Sequence, residues 1–217
     1  MISLDTSVNG GNNNTAQFWN YTHVIGAGAG NFLIVGHISQ TSLGVQTVTY
    51  GAGQAMTQID VQANPGNNLA VSLWYLVNPA QGSHTIQFGE FNSGYCTEAF
   101  SISYFGAGGL DSTNKGNANA NNITVSTTVV KSNCWLVGVA GGRSNPISTA
   151  SSNVTDRQSG VINAPAGGVG VISDSNATVG TGSQSIAFTD DGTNIAAVIA
   201  SIFPFISKDN GLFMVSD

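Results

Sequence analysis

The chain has only two glutamates, Glu90 and Glu98. A carboxylate pair is the first arrangement here that could do chemistry. Glycoside hydrolysis needs one carboxyl as acid and a second as base or nucleophile. Glu98 falls on the face of an expected strand that also carries Phe100 and Ile102, and Glu90 falls at a strand end. No compact Glu-x-Asp-x-x-Glu array holds them together. His23, His37 and His84 have no close His or Cys partner in sequence, whereas zinc needs three or four convergent ligands. Serines are abundant, but none lies in a Gly-x-Ser-x-Gly elbow ahead of a helix. Gly26-Ala27-Gly28-Ala29-Gly30-Asn31 has the glycine density of a dinucleotide loop. That loop must open a helix whose N-terminus holds the pyrophosphate, and here a strand follows. These patterns predict a protein that is not an enzyme and has no catalytic residue.

Two groups of residues suit binding. Asp190-Asp191-Gly192-Thr193-Asn194 offers the oxygen ligands that calcium prefers, centred on Asp190 and Asp191, and it also reads as a tight turn. Asp111-Ser112-Thr113-Asn114 is a weaker version. Trp19, Tyr21 and Trp74, the last beside Tyr75, would make a sugar-stacking platform if exposed; buried, they would be core.

The elements that must position these residues are strands. No window holds the i, i+3, i+4, i+7 spacing of a helix, and Gly, Asn, Thr and Ser oppose one. Phe32-Leu33-Ile34-Val35 is a continuous apolar run, fitting a strand buried on both faces. Residues 68–77 alternate, with Leu69, Val71, Leu73, Tyr75 and Val77 on one face and Ala70, Ser72, Trp74 and Leu76 on the other. Asn78-Pro79-Ala80-Gln81-Gly82 then turns the chain back into an antiparallel strand over 84–88. Residues 44–50 and 55–62 predict a hairpin across Gly51-Ala52-Gly53. Residues 1–15 end in a loop, 106–122 form a long Gly/Asn-rich loop, and 141–167 are mostly loop. The pattern predicts eleven or twelve strands, no fixed-period repeat and one antiparallel β-sandwich domain over 1–204. A tail over 205–217 follows, whose Phe205, Ile206, Leu212, Phe213, Met214 and Val215 must dock on the domain or on a neighbour.

Composition narrows the partners. Of 217 residues, 7% are charged, and Lys plus Arg number 5 against 11 Asp plus Glu. The cations stand singly, which argues against nucleic acid. No run of about 18 apolar residues suggests a membrane helix. Low charge limits repulsion between copies and suits dense packing. The N-terminus lacks the basic and apolar regions of a secretory signal. Cys96 and Cys134 each head an expected strand. Free buried thiols are the ordinary habit of such residues, and a bridge would need Cα atoms about 4.4–6.8 Å apart, which spacing does not fix.

Several stretches resemble a poorly characterised group of jelly-roll-like modules found in phage structural proteins and bacterial surface proteins. The likeness is carried by Val48-Thr49-Tyr50-Gly51, by Gln54-Ala55-Met56-Thr57, and above all by Leu73-Trp74-Tyr75-Leu76-Val77-Asn78-Pro79 followed by Gly82-Ser83-His84-Thr85-Ile86. Weaker matches lie at 99–106, 132–139 and Ala196-Ala197-Val198-Ile199. The resemblance implies a jelly-roll-like sandwich in a virion exterior, whose partners are copies of itself and other virion proteins. A carbohydrate-binding module or adhesin, with surface glycans as partners and calcium as the one conceivable cofactor, is the alternative expectation.

Overall fold

The computed structural model describes residues 1–13, 18–40, 45–64, 69–90, 97–143, 147–161, 168–192 and 194–206. Those residues form seventeen strands and no helix: β1 (Ser3–Asn13), β2 (Phe18–Ile25), β3 (Phe32–Ser39), β4 (Val45–Tyr50), β5 (Gln54–Ala55), β6 (Thr57–Asn64), β7 (Leu69–Val77), β8 (Gly82–Glu90), β9 (Thr97–Phe105), β10 (Ala107–Ala118), β11 (Asn122–Val129), β12 (Trp135–Gly142), β13 (Ile147–Thr149), β14 (Thr155–Val161), β15 (Val169–Asp174), β16 (Gly182–Asp190) and β17 (Ile195–Pro204). All pairings are antiparallel. They build four sheets, with orders β1-β9-β3-β7-β6, β2-β8-β4-β5, β10-β17-β12-β15-β14 and β11-β16-β13.

The first two orders repeat in the last two. β1 corresponds to β10, β2 to β11, β3 to β12, β4 to β13, β6 to β14, β7 to β15, β8 to β16 and β9 to β17; β5 alone has no counterpart. Within each half the first strand pairs with the last, the second with the next to last, and the third with the one before that. That nested pairing is a jelly roll. The chain is therefore two jelly rolls.

The correspondence extends to single residues. Asp5 and Asp111 both stand at a bulge of the first strand of their half. Asp5 accepts hydrogen bonds from Gly26 N (2.9 Å) and Ser103 Oγ (2.8 Å); Asp111 accepts them from Val130 N (2.9 Å) and Ser201 Oγ (3.1 Å). Gly82-Ser83-His84-Thr85-Ile86-Gln87-Phe88 is answered by Gly182-Ser183-Gln184-Ser185-Ile186-Ala187-Phe188, and both leading glycines have φ +96°.

Four layers result. The sheet of β1, β9, β3, β7 and β6 packs on that of β10, β17, β12, β15 and β14 through Phe32, Ile34, Leu73, Phe100, Val137, Val139 and Ile202, among others. The sheet of β2, β8, β4 and β5 covers the outer side of the first through Ile25, Tyr50, Ile86 and Phe88, against Leu33, Val35 and Trp74. The sheet of β11, β16 and β13 covers the other side through Ile123, Ile186 and Phe188. Both central sheets are covered on both faces, so β3, β12, β15 and most of β9 and β17 are buried throughout. At the centre Gly36 admits Val139, whose Cγ2 would lie 2.8 Å from a β-carbon there.

The seams between the halves share this symmetry. Asn9 Nδ2 donates to Ser159 O (2.9 Å) and Asn12 Nδ2 to Val161 O (3.1 Å). On the opposite edge Lys115 Nζ donates to Val61 O (3.0 Å) and Asn117 Nδ2 to Ala63 O (3.1 Å). Each half thus offers its first strand to the edge strand of the other, β1 to β14 and β10 to β6, as in an isologous dimer.

Several expectations need correction. Residues 106–122 are mostly strand: β10 is Gly- and Asn-rich because its partner β17 and the seam supply its hydrogen bonds. Residues 1–15 hold β1 for the same reason, paired on β9. Residues 141–167 contain β13 and β14. β7 and β8 do not pair: the Asn78–Gly82 turn carries the chain from one sheet to another, and β6 leaves β4 after β5 to pair with β7. No fixed period runs along the chain, as expected: the spacing between the halves drifts from 106 residues (Leu4 to Leu110) through 100 (Gly82 to Gly182) to 98 (Ser103 to Ser201).

Candidate functional site

The expected aromatic platform is turned inward. Trp74 is 4% exposed and its Nε1 donates to Ser72 Oγ (3.0 Å). Its strand is covered on both faces, so the side opposite Tyr75 meets a sheet and not solvent. Trp19 and Tyr21 are half-buried; their rings lie 5.2 and 6.0 Å from that of Phe88 and pack on the same core as Trp74. The structure brings all three together, as interior packing.

Asp190 is buried and accepts backbone N–H groups of Arg143 (3.1 Å) and Gly192 (3.2 Å), while Asp191 is exposed. Asp111 is occupied by its clamp. Among the described residues no three His, Cys, Asp or Glu side chains gather where they could hold a metal. Glu98 is buried beside Asn9 and Gly160, at the seam between the halves. Burial pushes its carboxyl up to about 8, against the opposing pull of a hydrogen bond from Asn9. Cys134 is a buried free thiol, raised to about 11 by burial, whose Sγ meets Lys131 O at 3.2 Å. Cys96 lies outside the described residues, as do Leu212, Phe213 and Met214 of the tail.

His23 is fully buried between the sheets. Nδ1 lies 2.7 Å from Ser101 Oγ and Nε2 3.0 Å from Ser103 Oγ, and Ser103 donates on to Asp5. The composition is that of a serine hydrolase, but the order is not. The aspartate meets a serine and not the imidazole, and His23, Ser101 and Ser103 are all buried. Burial lowers the imidazole to about 4, partly offset by the charge of Asp5. In the second half Thr127 donates to Ser112 Oγ (3.0 Å), which lies 2.8 Å from Ser201 Oγ. The network is a structural clamp present in both halves.

Two surface features remain. At the end of β17, Phe205 is 47% and Ile206 79% exposed. They adjoin a cavity of about 440 Å³ lined by Lys131, Ser132, Asn133, Phe203, Pro204 and Ile206, with Lys131 Nζ 3.2 Å from the Phe203 ring centre.

The other is a polar cleft of two adjoining cavities, about 460 and 410 Å³, which share Ser152, Asn153, Ser175, Val179 and Gln184. Its origin lies in the difference between the halves. In the first, β5 pairs with β4, and Tyr50, opposite Ile86, fills the space between the sheets with its ring against His84 (5.4 Å). In the second, β13 stops at Thr149, opposite Phe188, and no strand takes the place of β5. Two residues further along the chain, at the place that Tyr50 takes two residues after Val48, stands Ser151, whose Oγ accepts Ala187 N (2.9 Å). Gln184 replaces His84, and Val154 replaces Met56. The cleft is the unfilled place of a tyrosine. Sequence reasoning missed it because nothing marks Ser151 until the halves are superposed. No family model, curated protein or solved structure matches the chain.

Proposed function

We propose that this chain is a non-enzymatic structural protein of a phage virion, a capsid decoration, minor capsid or tail component, acting by assembly with copies of itself. The observation that carries the reading is the apolar end of β17. Phe205 and Ile206 are strongly exposed beside the Phe203–Pro204 cavity, on a chain that is only 7% charged. A terminal apolar patch of this kind marks an interaction site. Low charge removes the repulsion that would keep copies apart. The two stacked jelly rolls agree with the resemblance drawn from the residues 73–86, which supplies the virion context.

Light scattering on the full chain tests the assembly. The expected result is a symmetric oligomer that Phe205→Ser with Ile206→Ser converts to a smaller species. A monomer at all concentrations, with its virion copy found by imaging in no particle, would overturn the reading. A glycan-binding module is the second reading, and the polar cleft is what favours it.

A further inference from the structure

We infer that the cleft of the second jelly roll is a binding site for a neutral saccharide. The inference stands apart from the assembly reading, because the cleft shares no lining residue with the Phe203–Ile206 cavity and is read out by a different measurement.

Its size falls in the range of small-molecule sites, roughly 300–1,000 Å³. Its walls are made of amides and hydroxyls whose free valences are set by their neighbours. Ser151 Oγ already accepts Ala187 N, which leaves its hydroxyl hydrogen to give. Asn176, held at φ 51°, has its Oδ1 tied to Arg157 Nη2 (2.6 Å), which leaves its NH₂ as the outward donor. Arg157 in turn is bound bidentately to Asp174 (Nε–Oδ2 3.0 Å, Nη2–Oδ1 2.7 Å), so its charge is spent behind the wall. Asn153 and Gln184 add an amide each, with both donor and acceptor. The floor is apolar, from Leu136, Val154 and Val179.

Among the described residues no charged side chain lines either cavity. A charged ligand would lose its hydration there and gain no counter-charge. A ligand with several hydroxyls around an apolar ring face satisfies both the walls and the floor, and that is a neutral pyranose. An extended peptide is less suited, since it binds along a free strand edge, and β13, the edge strand here, is only three residues long.

The first half supplies the decisive variant. Ser151→Tyr gives the second half the residue that fills this place in the first, so the fold has a precedent for it. Asn176→Asp is the second variant: it removes the outward NH₂ and adds a charge. The full chain is titrated by saturation-transfer NMR with neutral hexoses, N-acetylhexosamines and their disaccharides at about 10 mM, above the ~1 mM dissociation constants of weak ligands. Sialylated and sulfated sugars and short peptides form the other arms. The expected result is binding of at least one neutral sugar, weakened about tenfold or more by Ser151→Tyr and by Asn176→Asp, with circular dichroism unchanged. Silence of all neutral sugars overturns the inference. So does binding that survives both variants, or binding confined to charged sugars or to peptides. Should Ser151→Tyr not fold, the outcome for Asn176→Asp decides. Light scattering of the same variants is expected not to move, so a failure here leaves the assembly reading to its own test.

Discussion

Among single residues, Glu98 and His23 do the most to set how the molecule responds to pH. Both are buried, and burial shifts each toward its neutral form. Glu98, raised to about 8, titrates near 4.3 when unfolded. Its neutral form is common to both states in acid, so its favourable contribution is complete below about pH 4 and is lost as pH rises through 8. His23, lowered to about 4, titrates near 6.5 when unfolded, so its contribution is present above about pH 6.5 and is lost as pH falls through 4. Of these two, the glutamate alone acts between pH 6.5 and 8, with a slope approaching about 1.4 kcal/mol per pH unit. Glu98→Gln is therefore expected to flatten the urea-midpoint profile between pH 6.5 and 8 and to be more stable than the parent at pH 9. A parent profile with no fall in that window would refute this. The roles of these residues were only partly readable in sequence. Burial of Glu98 was not foreseen, because a strand covered on both faces looks, at one glutamate, like a strand with a wet side.

The elements show where sequence reasoning reached and where it stopped. β3 and β7 are legible from a continuous and an alternating apolar run, because a covered face writes itself into residue type. β1, β10 and β14 are not. Their hydrogen bonds come from a neighbouring strand and from the seam, and Asn, Gly and Ser satisfy those positions without any apolar signal. The switch of β8 away from β7 was equally silent, since an Asn-Pro turn ending in Gly serves a hairpin and a sheet-to-sheet crossing alike. The close approach of the central layers gives an element-scale prediction. Gly36→Ala sets a methyl against Val139 and Ile172, and overpacking of this sort costs about 1–3 kcal/mol. Urea denaturation should show that loss with the slope unchanged. A neutral outcome would mean that the two central sheets separate more readily than their packing implies.

At the scale of the molecule, the halves have separate jelly-roll topologies but one shared central core. Each half covers only the outer face of its central sheet, and the inner face is covered by the other half. Unfolding is thus expected as a single transition for both: tryptophan fluorescence and far-ultraviolet circular dichroism should give coincident midpoints. Trp19 and Trp74 report the first half, and Trp135 reports the second. Two separated midpoints would show that one roll survives without the other.

The stacking order also bears on growth. The outer faces of the β2-β8-β4-β5 and β11-β16-β13 sheets lie at opposite ends of the stack and carry like polar residues: Thr22, Thr85 and Gln87 on one, Thr124, Ser126, Thr128 and Ser185 on the other, all exposed. A body with two similar and opposed poles is bivalent. Any partner that grips one pole has a second berth on the far side, so contact through these faces favours rows and sheets over closed pairs. The duplication thus gives the molecule two like polar faces on opposite sides of the stack.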